Sequence, residues 1–375
     1  MLEYYKGKRV FLTGHTGFKG TWMTRILLNA GAIVTGYSLE PPQPSLYSIA
    51  GFDEYIKNGQ LTSVIADIRD LDSLKKSFEE ADPQVVFHLA AQPIVRDSYK
   101  DPVYTYETNV MGTVNVMEAV RCHSRGVESV LIITTDKVYK NEERPIWGYR
   151  EYEPLDGFDP YSNSKSCAEL VVHSYRDSFF RNADGGYSIP ISTARAGNVI
   201  GGGDFANDRI IPDCVRALEA AIADGVKEAV VGVRNPYSTR PYQHVLEPLA
   251  MYLTLGAAQA EKGELADWYN VGPDDADCVT TGDLVTIFCD KWNALCTDPS
   301  LPKARWENRA EKGAPHEAGF LKLDSTKIKQ RLGYSPVWHI AECMEKTAEF
   351  TKVYLTDVSA VPSEMDRQIG VFFGK

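Results

Sequence analysis

The first half of the chain alternates short apolar runs with amphipathic stretches. Five apolar runs predict buried strands, at residues 9–13, 32–38, 61–66, 85–89 and 130–134. The amphipathic stretches between them predict helices, at residues 18–30, 70–81 and 108–123. Strands and helices that alternate at this spacing are typical of an α/β fold, in which a doubly wound, Rossmann-type parallel sheet has both faces covered.

The second half of the chain is less regular, although residues 191–196 predict one more sheet strand. We expect residues 1–196 to form the Rossmann domain, joined by a later segment near residues 240–260. Residues 197–375 should then mainly form a smaller C-terminal substrate domain. Ligands of such folds bind outside the carboxyl ends of the strands, so this second domain should cover that edge of the sheet.

Composition narrows the class of protein. A net charge of −11 argues against nucleic acid or an anionic membrane as a partner. No apolar run reaches the roughly 20 residues that span a bilayer, and no signal segment opens the chain. The seven cysteines are scattered without a CxxC pair, which favours reduced thiols over disulfides or a metal site. We therefore expect a cytoplasmic enzyme that binds no metal ion and no membrane.

A glycine-rich turn separates the first predicted strand from the first predicted helix. Its glycines are Gly14, Gly17 and Gly20. Only glycine lets a backbone turn tightly and approach a diphosphate, whose charge then meets the helix N-terminus. The spacing is GxxGxxG rather than GxGxxG, so an ordinary strand–helix turn is the alternative. The position at the first βα junction favours a dinucleotide site.

The end of the second predicted strand indicates which dinucleotide binds. An acidic residue is expected about 20 residues after the turn, on a ribose hydroxyl. Here Ser38 ends the strand instead, and no Arg or Lys lies between Gly36 and Ile56 to bind a 2′-phosphate. The missing basic residue favours NAD over NADP. Asp67, after the third strand, is a candidate adenine contact, with a helix-capping turn as the alternative.

Tyr161 and Lys165 form a YxxxK pattern on a helix predicted to reach residue 180, and a spacing of four places both side chains on one face. An ammonium close to a phenol lowers a pKa that is about 10 in isolation. Such a tyrosine can take a proton from a sugar hydroxyl while hydride leaves for a nicotinamide. Thr135 and Asp136, at the carboxyl end of the fifth strand, should face the same cleft, unless they form only a polar strand end.

Together these motifs resemble those of the extended short-chain dehydrogenase/reductase family, over nearly the whole chain. More narrowly, the chain is similar to the CDP-glucose 4,6-dehydratase branch in five segments, at residues 14–20, 91–93, 135–139, 196–204 and 240–248. The resemblance implies an NAD-dependent lyase whose partner is the nucleotide sugar CDP-glucose. It also implies that the product is a 4-keto-6-deoxy sugar, formed by moving hydride internally from C4 to C6.

The resemblance assigns roles to the catalytic residues. Tyr161 would take the C4 hydroxyl proton beside Lys165, and Thr135 would hydrogen-bond the C4 oxygen. Asp136 would protonate the C6 hydroxyl as it leaves as water, for which it must carry a proton. Related dTDP- and GDP-sugar dehydratases carry a Glu as C5 base where this chain has Lys137. Lys137 either removes the C5 proton or only stabilises the enolate while Asp136 handles protons.

The same resemblance extends both binding sites. It implies cofactor contacts from fourteen residues: Gly14, Thr16, Gly17, Phe18, Lys19, Gly20, Ser38, Asp67, Ile68, Leu89, Ala90, Ala91, Tyr161 and Lys165. It implies substrate contacts from Gln92, Asn198, Arg209, Arg240 and His316. The arginine fork suits a diphosphate, although Arg209 could form only a surface salt bridge and His316 could be a solvated loop residue. The long helices at 108–123 and 162–180 would form a homodimer interface, or part of a higher oligomer.

Two other functions compete with this one. A 4-epimerase, or a 4,6-dehydratase for another nucleotide sugar, would keep the fold and cofactor. The adjacent Asp136 and Lys137 argue against an epimerase, since epimerases of the family usually lack that pair. A non-catalytic NAD-binding sensor is the third hypothesis. The intact pair of Tyr161 and Lys165 argues against it, because a sensor has no need of acid–base chemistry.

Overall fold

The computed structural model describes residues 1–123, 125–144, 146–310 and 319–374 of the 375-residue chain. The strands lie at β1 (Arg9–Thr13), β2 (Ile33–Ser38), β3 (Leu61–Ile65), β4 (Val85–His88), β5 (Ser129–Thr135), β6 (Ile191–Ala196), β7 (Val199–Ile200), β8 (Glu228–Val233), β9 (Thr239–Pro241), β10 (Gln243–His244), β11 (Trp268–Val271), β12 (Cys278–Thr280) and β13 (Lys303–Asn308).

The α-helices lie at α1 (Phe18–Asn29), α2 (Leu46–Ile49), α3 (Asp53–Lys57), α4 (Leu71–Ala81), α5 (Val95–Lys100), α6 (Pro102–Tyr106), α7 (Gly112–Cys122), α8 (Pro160–Tyr175), α9 (Ile210–Ala223), α10 (Leu246–Glu261), α11 (Thr281–Leu295), α12 (Thr326–Leu332), α13 (Ile340–Thr356) and α14 (Val361–Phe373). Two π-helical turns, Glu107–Met111 and Arg176–Phe180, extend α7 at its start and α8 at its end. None of the helices in the described ranges combines the length and apolar character that a bilayer crossing requires.

Seven parallel strands form the central sheet, in the order β11-β6-β5-β4-β1-β2-β3. The chain order reverses at β1, where Thr13 pairs with Tyr37 of β2 on one side and with His88 of β4 on the other. A ligand crevice opens at such a switch point, outside the carboxyl ends of the strands. The predicted doubly wound parallel sheet is confirmed. The predicted strands lie within about two residues of the observed ones, which is normal for element ends.

Hydrophobic cores cover both faces of the sheet. Leu12 and Trp22 pack in one, and Phe11, with the opposite side-chain direction in β1, packs in the other. Residues after 196 contribute to more than one hydrophobic core, and the two-domain division stays a prediction. Helices α9, α11 and α13 build a separate core with β8 and β13, whereas α10 and α14 pack in the core that contains α1. Strand β11 extends the sheet beyond β6.

Candidate active site

The three glycines of the turn after β1 have different surroundings. A Cβ on Gly20 would lie 1.9 Å from the carbonyl oxygen of Gly14. A Cβ on Gly14, where φ is +80°, would lie 2.7 Å from the nitrogen of Ala90. A Cβ on Gly17 would instead meet only the Gly14 oxygen, at 3.4 Å. Two glycines therefore allow close backbone packing, and the third leaves open space in front of the turn.

Helix α1 begins directly behind this open space. Gly17 is its N-cap, and no side chain in the described part of the chain accepts from the first N–H groups, which start at Phe18. Uncapped N–H groups at a helix start attract negative charge, such as that of a diphosphate. The predicted residues Gly14, Gly17 and Gly20 thus form a cradle that an added Cβ would fill or distort. These residues fit a dinucleotide.

The loop after β4 lies against this turn. Thr13 Oγ1 lies 2.7 Å from Nδ1 of the buried His88. The same oxygen accepts from the N–H groups of Leu89 and Ala90, each at 3.2 Å. Burial lowers the pKa of His88 to about 3, so its ring is neutral. These bonds fix the segment that carries the predicted cofactor residues Leu89, Ala90 and Ala91.

Neutral groups surround the end of β2. The predicted residues Thr16 and Ser38 contact each other, with their hydroxyl oxygens 2.8 Å apart. Beside them, Nε2 of the buried His15 lies 2.7 Å from Oγ of Ser63. The His15 ring packs on Gly36, where a Cβ would lie 2.3 Å from the ring. Burial lowers the pKa of His15 to about 4, so this residue adds no positive charge at neutral pH.

Asp67 lies at the start of the loop after β3, but its carboxylate is already engaged. Nη2 of Arg69 donates to it at 2.7 Å, and this bonding lowers the pKa of Asp67. Asp70, not Asp67, caps α4 by accepting from the N–H of Ser73. The neighbouring Ile68 is buried, with 5% exposure. An adenine contact from Asp67 therefore stays a prediction.

Thr135 and Asp136 lie together where β5 ends. The Thr135 hydroxyl donates to Oδ1 of Asp136 at 3.0 Å. Asp136 is only 2% exposed, and its Oδ2 has no hydrogen-bond partner within the described ranges. Burial raises the pKa of Asp136, and the nearby ammonium of Lys137 works in the opposite direction. The result is a buried carboxyl with one oxygen uncommitted beside the predicted base.

Tyr161 and Lys165 share one face of α8, as predicted, but their electrostatics differ from the expectation. Burial raises the pKa of Tyr161 to about 12, and the hydrogen bond with Thr135 and the charge of Arg209 oppose this rise. The Lys165 ammonium donates to the carbonyl oxygen of Ile133 at 3.1 Å, and burial lowers its own pKa to about 7. The expectation that Lys165 lowers the tyrosine pKa stays a prediction.

Two further lysines belong to the cleft. Burial and the charge of Arg209 lower the pKa of Lys19 to about 8, while Asp136 and Asp204 oppose this. Lys19 therefore lies near the catalytic carboxyl as well as on the glycine turn. Lys137 is half-buried, and its ammonium forms no hydrogen bond with the described residues. Both ammonium groups can approach a bound ligand.

Two of the predicted substrate residues are arginines whose charges reach the catalytic centre. Arg209 donates to Oδ2 of Asp204 at 3.0 Å, and its charge acts on Tyr161. Arg240 is buried and donates to the carbonyl oxygen of Thr239 at 2.9 Å, and its charge opposes the rise in the pKa of Asp136. Asn198 lies after β6 with its side chain partly exposed. His316 lies outside the described residues.

Gln92 has a structural role that the sequence did not predict. Its amide nitrogen donates to Oγ1 of Thr105 at 2.9 Å, and its amide oxygen accepts from the N–H of Ile94 at 2.6 Å. Its backbone N–H donates to Asn109 at 2.8 Å. The side chain thus stabilises the loop before α5, and a substrate contact remains a prediction.

Sequence reasoning missed a buried polar network beneath the catalytic strand. Glu169, on α8, accepts from Thr134 at 2.5 Å, from Thr193 at 2.7 Å and from Arg195 at 2.9 Å. A buried ion pair with these bonds holds β5, β6 and α8 in register. The available signal was Glu169 itself, one turn after Lys165 on a helix whose buried face should be apolar.

Comparison with known proteins gives the class of the chain. A family model described as GDP-mannose 4,6 dehydratase matches residues 11–347. The chain belongs to this family of nucleotide-sugar-modifying enzymes, which confirms the resemblance to extended short-chain dehydrogenases/reductases. A CDP-glucose 4,6-dehydratase of Salmonella typhimurium is 44% identical to it over 356 residues, which cover 94% of this chain and 93% of the relative.

Solved structures share the fold at lower identity. A UDP-glucuronic acid 4-epimerase from Bacillus cereus, in complex with UDP-glucuronic acid and NAD, has a TM-score of 0.71 at 20% identity, covering 92% of this chain and 98% of that one. The epimerase Mth375 from Methanothermobacter thermautotrophicus has a TM-score of 0.74 at 22% identity, covering 95% and 96%. These likenesses support the architecture described above.

Proposed function

We propose that this chain dehydrates CDP-glucose to CDP-4-keto-6-deoxyglucose, with NAD as a hydride carrier that ends the cycle unchanged. The observation that carries the proposal is Asp136, a buried carboxyl beside Thr135 and Tyr161, one oxygen of which has no hydrogen bond to any described residue. An enzyme that only oxidises and reduces C4 needs a base such as Tyr161. Loss of water from C5 and C6 needs a second proton carrier, which Asp136 supplies.

The cofactor site supports NAD. Residues Gly14 to Gly20 and the start of α1 would hold the diphosphate, and the loop after β4 would flank it. Thr16 and Ser38 present a neutral hydroxyl pair at the end of β2, where a 2′-phosphate would need a cation. When bound, NAD would supply the hydride acceptor for the oxidation at C4.

Tyr161 takes the C4 hydroxyl proton. Its phenol is protonated at neutral pH in the chain alone, because burial holds its pKa near 12. Positive charge beside it is therefore required before it can act as a base. Arg209 supplies part of that charge. Lys165 contributes in its protonated form, whose ammonium the Ile133 carbonyl holds in place.

Asp136 moves the proton that leaves C5. The 4-ketone acidifies the C5 hydrogen. Asp136 takes this proton through Oδ2 and delivers it to the C6 hydroxyl, which departs as water. A carboxyl with a raised pKa is a stronger base than an ordinary one and holds the proton once it is taken. We propose that Lys137 stabilises the enolate charge, since its ammonium has no bond to the described residues.

The assignment of CDP rests on the relative from Salmonella typhimurium, which carries that name at 44% identity. The test is to incubate the purified protein and NAD with CDP-, dTDP-, UDP- and GDP-glucose that carry deuterium at C4. We expect product only from CDP-glucose, with deuterium recovered at C6 and no external electron acceptor required. Product from another nucleotide alone would overturn the substrate. Formation of an epimer without loss of water would overturn the reaction.

We also propose that the protein works as a homodimer in the cytoplasm. Helices α5, α6 and α8, with their flanking π-turns, expose apolar side chains that are each half or more accessible: Tyr99, Val103, Met111, Leu170 and Phe179. Exposed apolar side chains gathered on neighbouring helices are typical of a surface that a second copy covers. All seven cysteines are free thiols, which suits a reducing compartment.

A further inference from the structure

The guanidinium of Arg96 has few partners. Arg96 lies on α5, and its Nη1 is 3.5 Å from Oδ1 of Asp208, a distance beyond a good hydrogen bond. No described residue accepts a hydrogen bond from this side chain, which is 37% exposed. An arginine carries five N–H donors, so most of the binding capacity of Arg96 is unused within the described chain.

Arg96 lies close to the catalytic residues. Ser98, on the same helix, accepts from the backbone N–H of Tyr161 at 3.1 Å, which joins α5 to the start of α8. On the other side, Asp208 immediately precedes Arg209, whose charge reaches Tyr161. The contact between Arg96 and Asp208 therefore lies beside the segments that carry Tyr161 and Arg209.

Asp208 is shared by two arginines. Nη1 of Arg234 donates to the same Oδ1 at 2.8 Å, and the two guanidinium groups lower the pKa of Asp208. The backbone of Asp208 has φ +59°, a left-handed conformation that residues other than glycine rarely adopt. Arg234 also lies 3.7 Å from Oδ2 of Asp213, so of the two guanidinium groups Arg96 has the weaker contact with a carboxylate among the described residues.

We propose that Arg96 is a further substrate-binding residue, whose guanidinium fork binds the diphosphate of the nucleotide sugar. This inference rests on the proposed function. Asp208 orients Arg96 in the free protein and gives way to the diphosphate, whose charge density exceeds that of one carboxylate. NAD also contains a diphosphate, but the uncapped start of α1 in front of Gly17 already provides a cradle for it.

The test compares four variants with the wild type: R96M, R96K, D208N and R9M. Arg9 is the matched control, since it is an arginine of similar exposure, 41%, that pairs with Asp82 at 2.9 Å at the amino end of β1, the edge of the sheet opposite the cleft. The readouts are KM and kcat for CDP-glucose, the inhibition constant of CDP, and KM for NAD. We expect R96M to raise the KM for CDP-glucose and the inhibition constant of CDP about tenfold or more, while kcat stays within about threefold of the wild-type value. R96K should fall between, because lysine keeps the charge but not the fork.

Three results would overturn the inference. An R96M variant that binds CDP like the wild type would exclude the contact. A rise in KM for NAD alone would assign Arg96 to the cofactor. If D208N weakens the binding of CDP as much as R96M does, the contact between Arg96 and Asp208 has only a structural role. Wild-type turnover is measured first, so failure of the proposed function appears there. The role of Arg96 is then tested by the inhibition constant of whichever nucleoside diphosphate the wild type binds.

Discussion

Thr135 donates its hydroxyl hydrogen to one oxygen of Asp136 at 3.0 Å and leaves the other oxygen buried without a bond in the described chain. The arrangement suits proton transfer but is unfavourable for stability, because a buried carboxylate that is incompletely bonded loses its solvation. The raised pKa of Asp136 has the same cause, the loss of solvation on burial. The catalytic carboxyl should therefore lower the stability of the fold.

Asp136→Asn is expected to abolish dehydration and to stabilise the protein by about 1–3 kcal/mol at neutral pH. The folded-state pKa of Asp136 lies above its unfolded value, so ionisation disfavours the folded state as pH rises through these values. The gain in the free energy of unfolding of the variant should thus be largest at neutral pH and vanish below about pH 4, the pKa of this carboxyl in the unfolded chain. Urea unfolding at several pH values measures this.

Asp275→Asn is the matched control for that measurement, because its carboxyl is 70% exposed and lies 3.7 Å from Lys322. Its free energy of unfolding should change by less than about 0.5 kcal/mol at every pH. Equal stabilisation by both substitutions would show that net charge, rather than burial of Asp136, sets the effect.

Gly20→Ala and Gly17→Ala should behave in opposite ways. The Cβ at position 20 would lie 1.9 Å from backbone, which cannot move aside, so we expect a loss of several kcal/mol or no folded protein. The Cβ at position 17 meets nothing closer than 3.4 Å, so the variant should fold normally. It should bind NAD at least tenfold more weakly, because the methyl group enters the cradle. Thermal melts with and without NAD separate the two results; normal NAD binding by Gly17→Ala would exclude this cradle.

Tyr161→Phe is expected to lower kcat by about 10²–10⁴-fold while NAD still raises the melting temperature. The phenol of the free protein has a pKa of about 12. Log kcat/KM of the wild type should therefore rise with pH across the neutral range, as the fraction of ionised Tyr161 increases. Lys165→Met removes a cation and should move this acid limb to higher pH. An unchanged limb would mean that another group titrates there.

Leu170→Glu should convert the proposed dimer into a monomer. Leu170 is 54% exposed on α8, and a carboxylate in a buried apolar interface is costly. Size-exclusion chromatography with light scattering measures the mass. Val226→Glu is the control, since Val226 is 49% exposed in the loop between α9 and β8. A dimer that survives Leu170→Glu would place the interface elsewhere.

The sheet could be predicted from the sequence because its strands are covered on both faces. Such strands read as continuous apolar runs, and β1, β4 and β5 were found that way. Strand β11 was missed, since it has only four residues and begins with a half-buried tryptophan. Helix α14 was missed because no motif marks it, although its apolar face packs in the core with α1.

The site was predictable where a motif fixes backbone geometry or helical spacing, as at Gly14 to Gly20 and at Tyr161 with Lys165. Electrostatics could not be predicted in the same way. The pKa of Tyr161 depends on burial and on Arg209, which lies far along the chain, and Lys165 turns to a backbone carbonyl instead. The unused hydrogen-bond donors of Arg96 could not be predicted either, because only folding brings Arg96 and Asp208 together.

Helix α14 packs against α1, the helix that begins at the cofactor cradle. Arg25 donates through Nε to Asp366 at 2.7 Å and through Nη1 to the carbonyl of Ala50 at 3.1 Å. During translation the glycine turn therefore leaves the ribosome long before the helix that braces it. The bond between Arg25 and Asp366 can form only after residue 366 has been synthesised, so α1 folds against this brace at the end of synthesis.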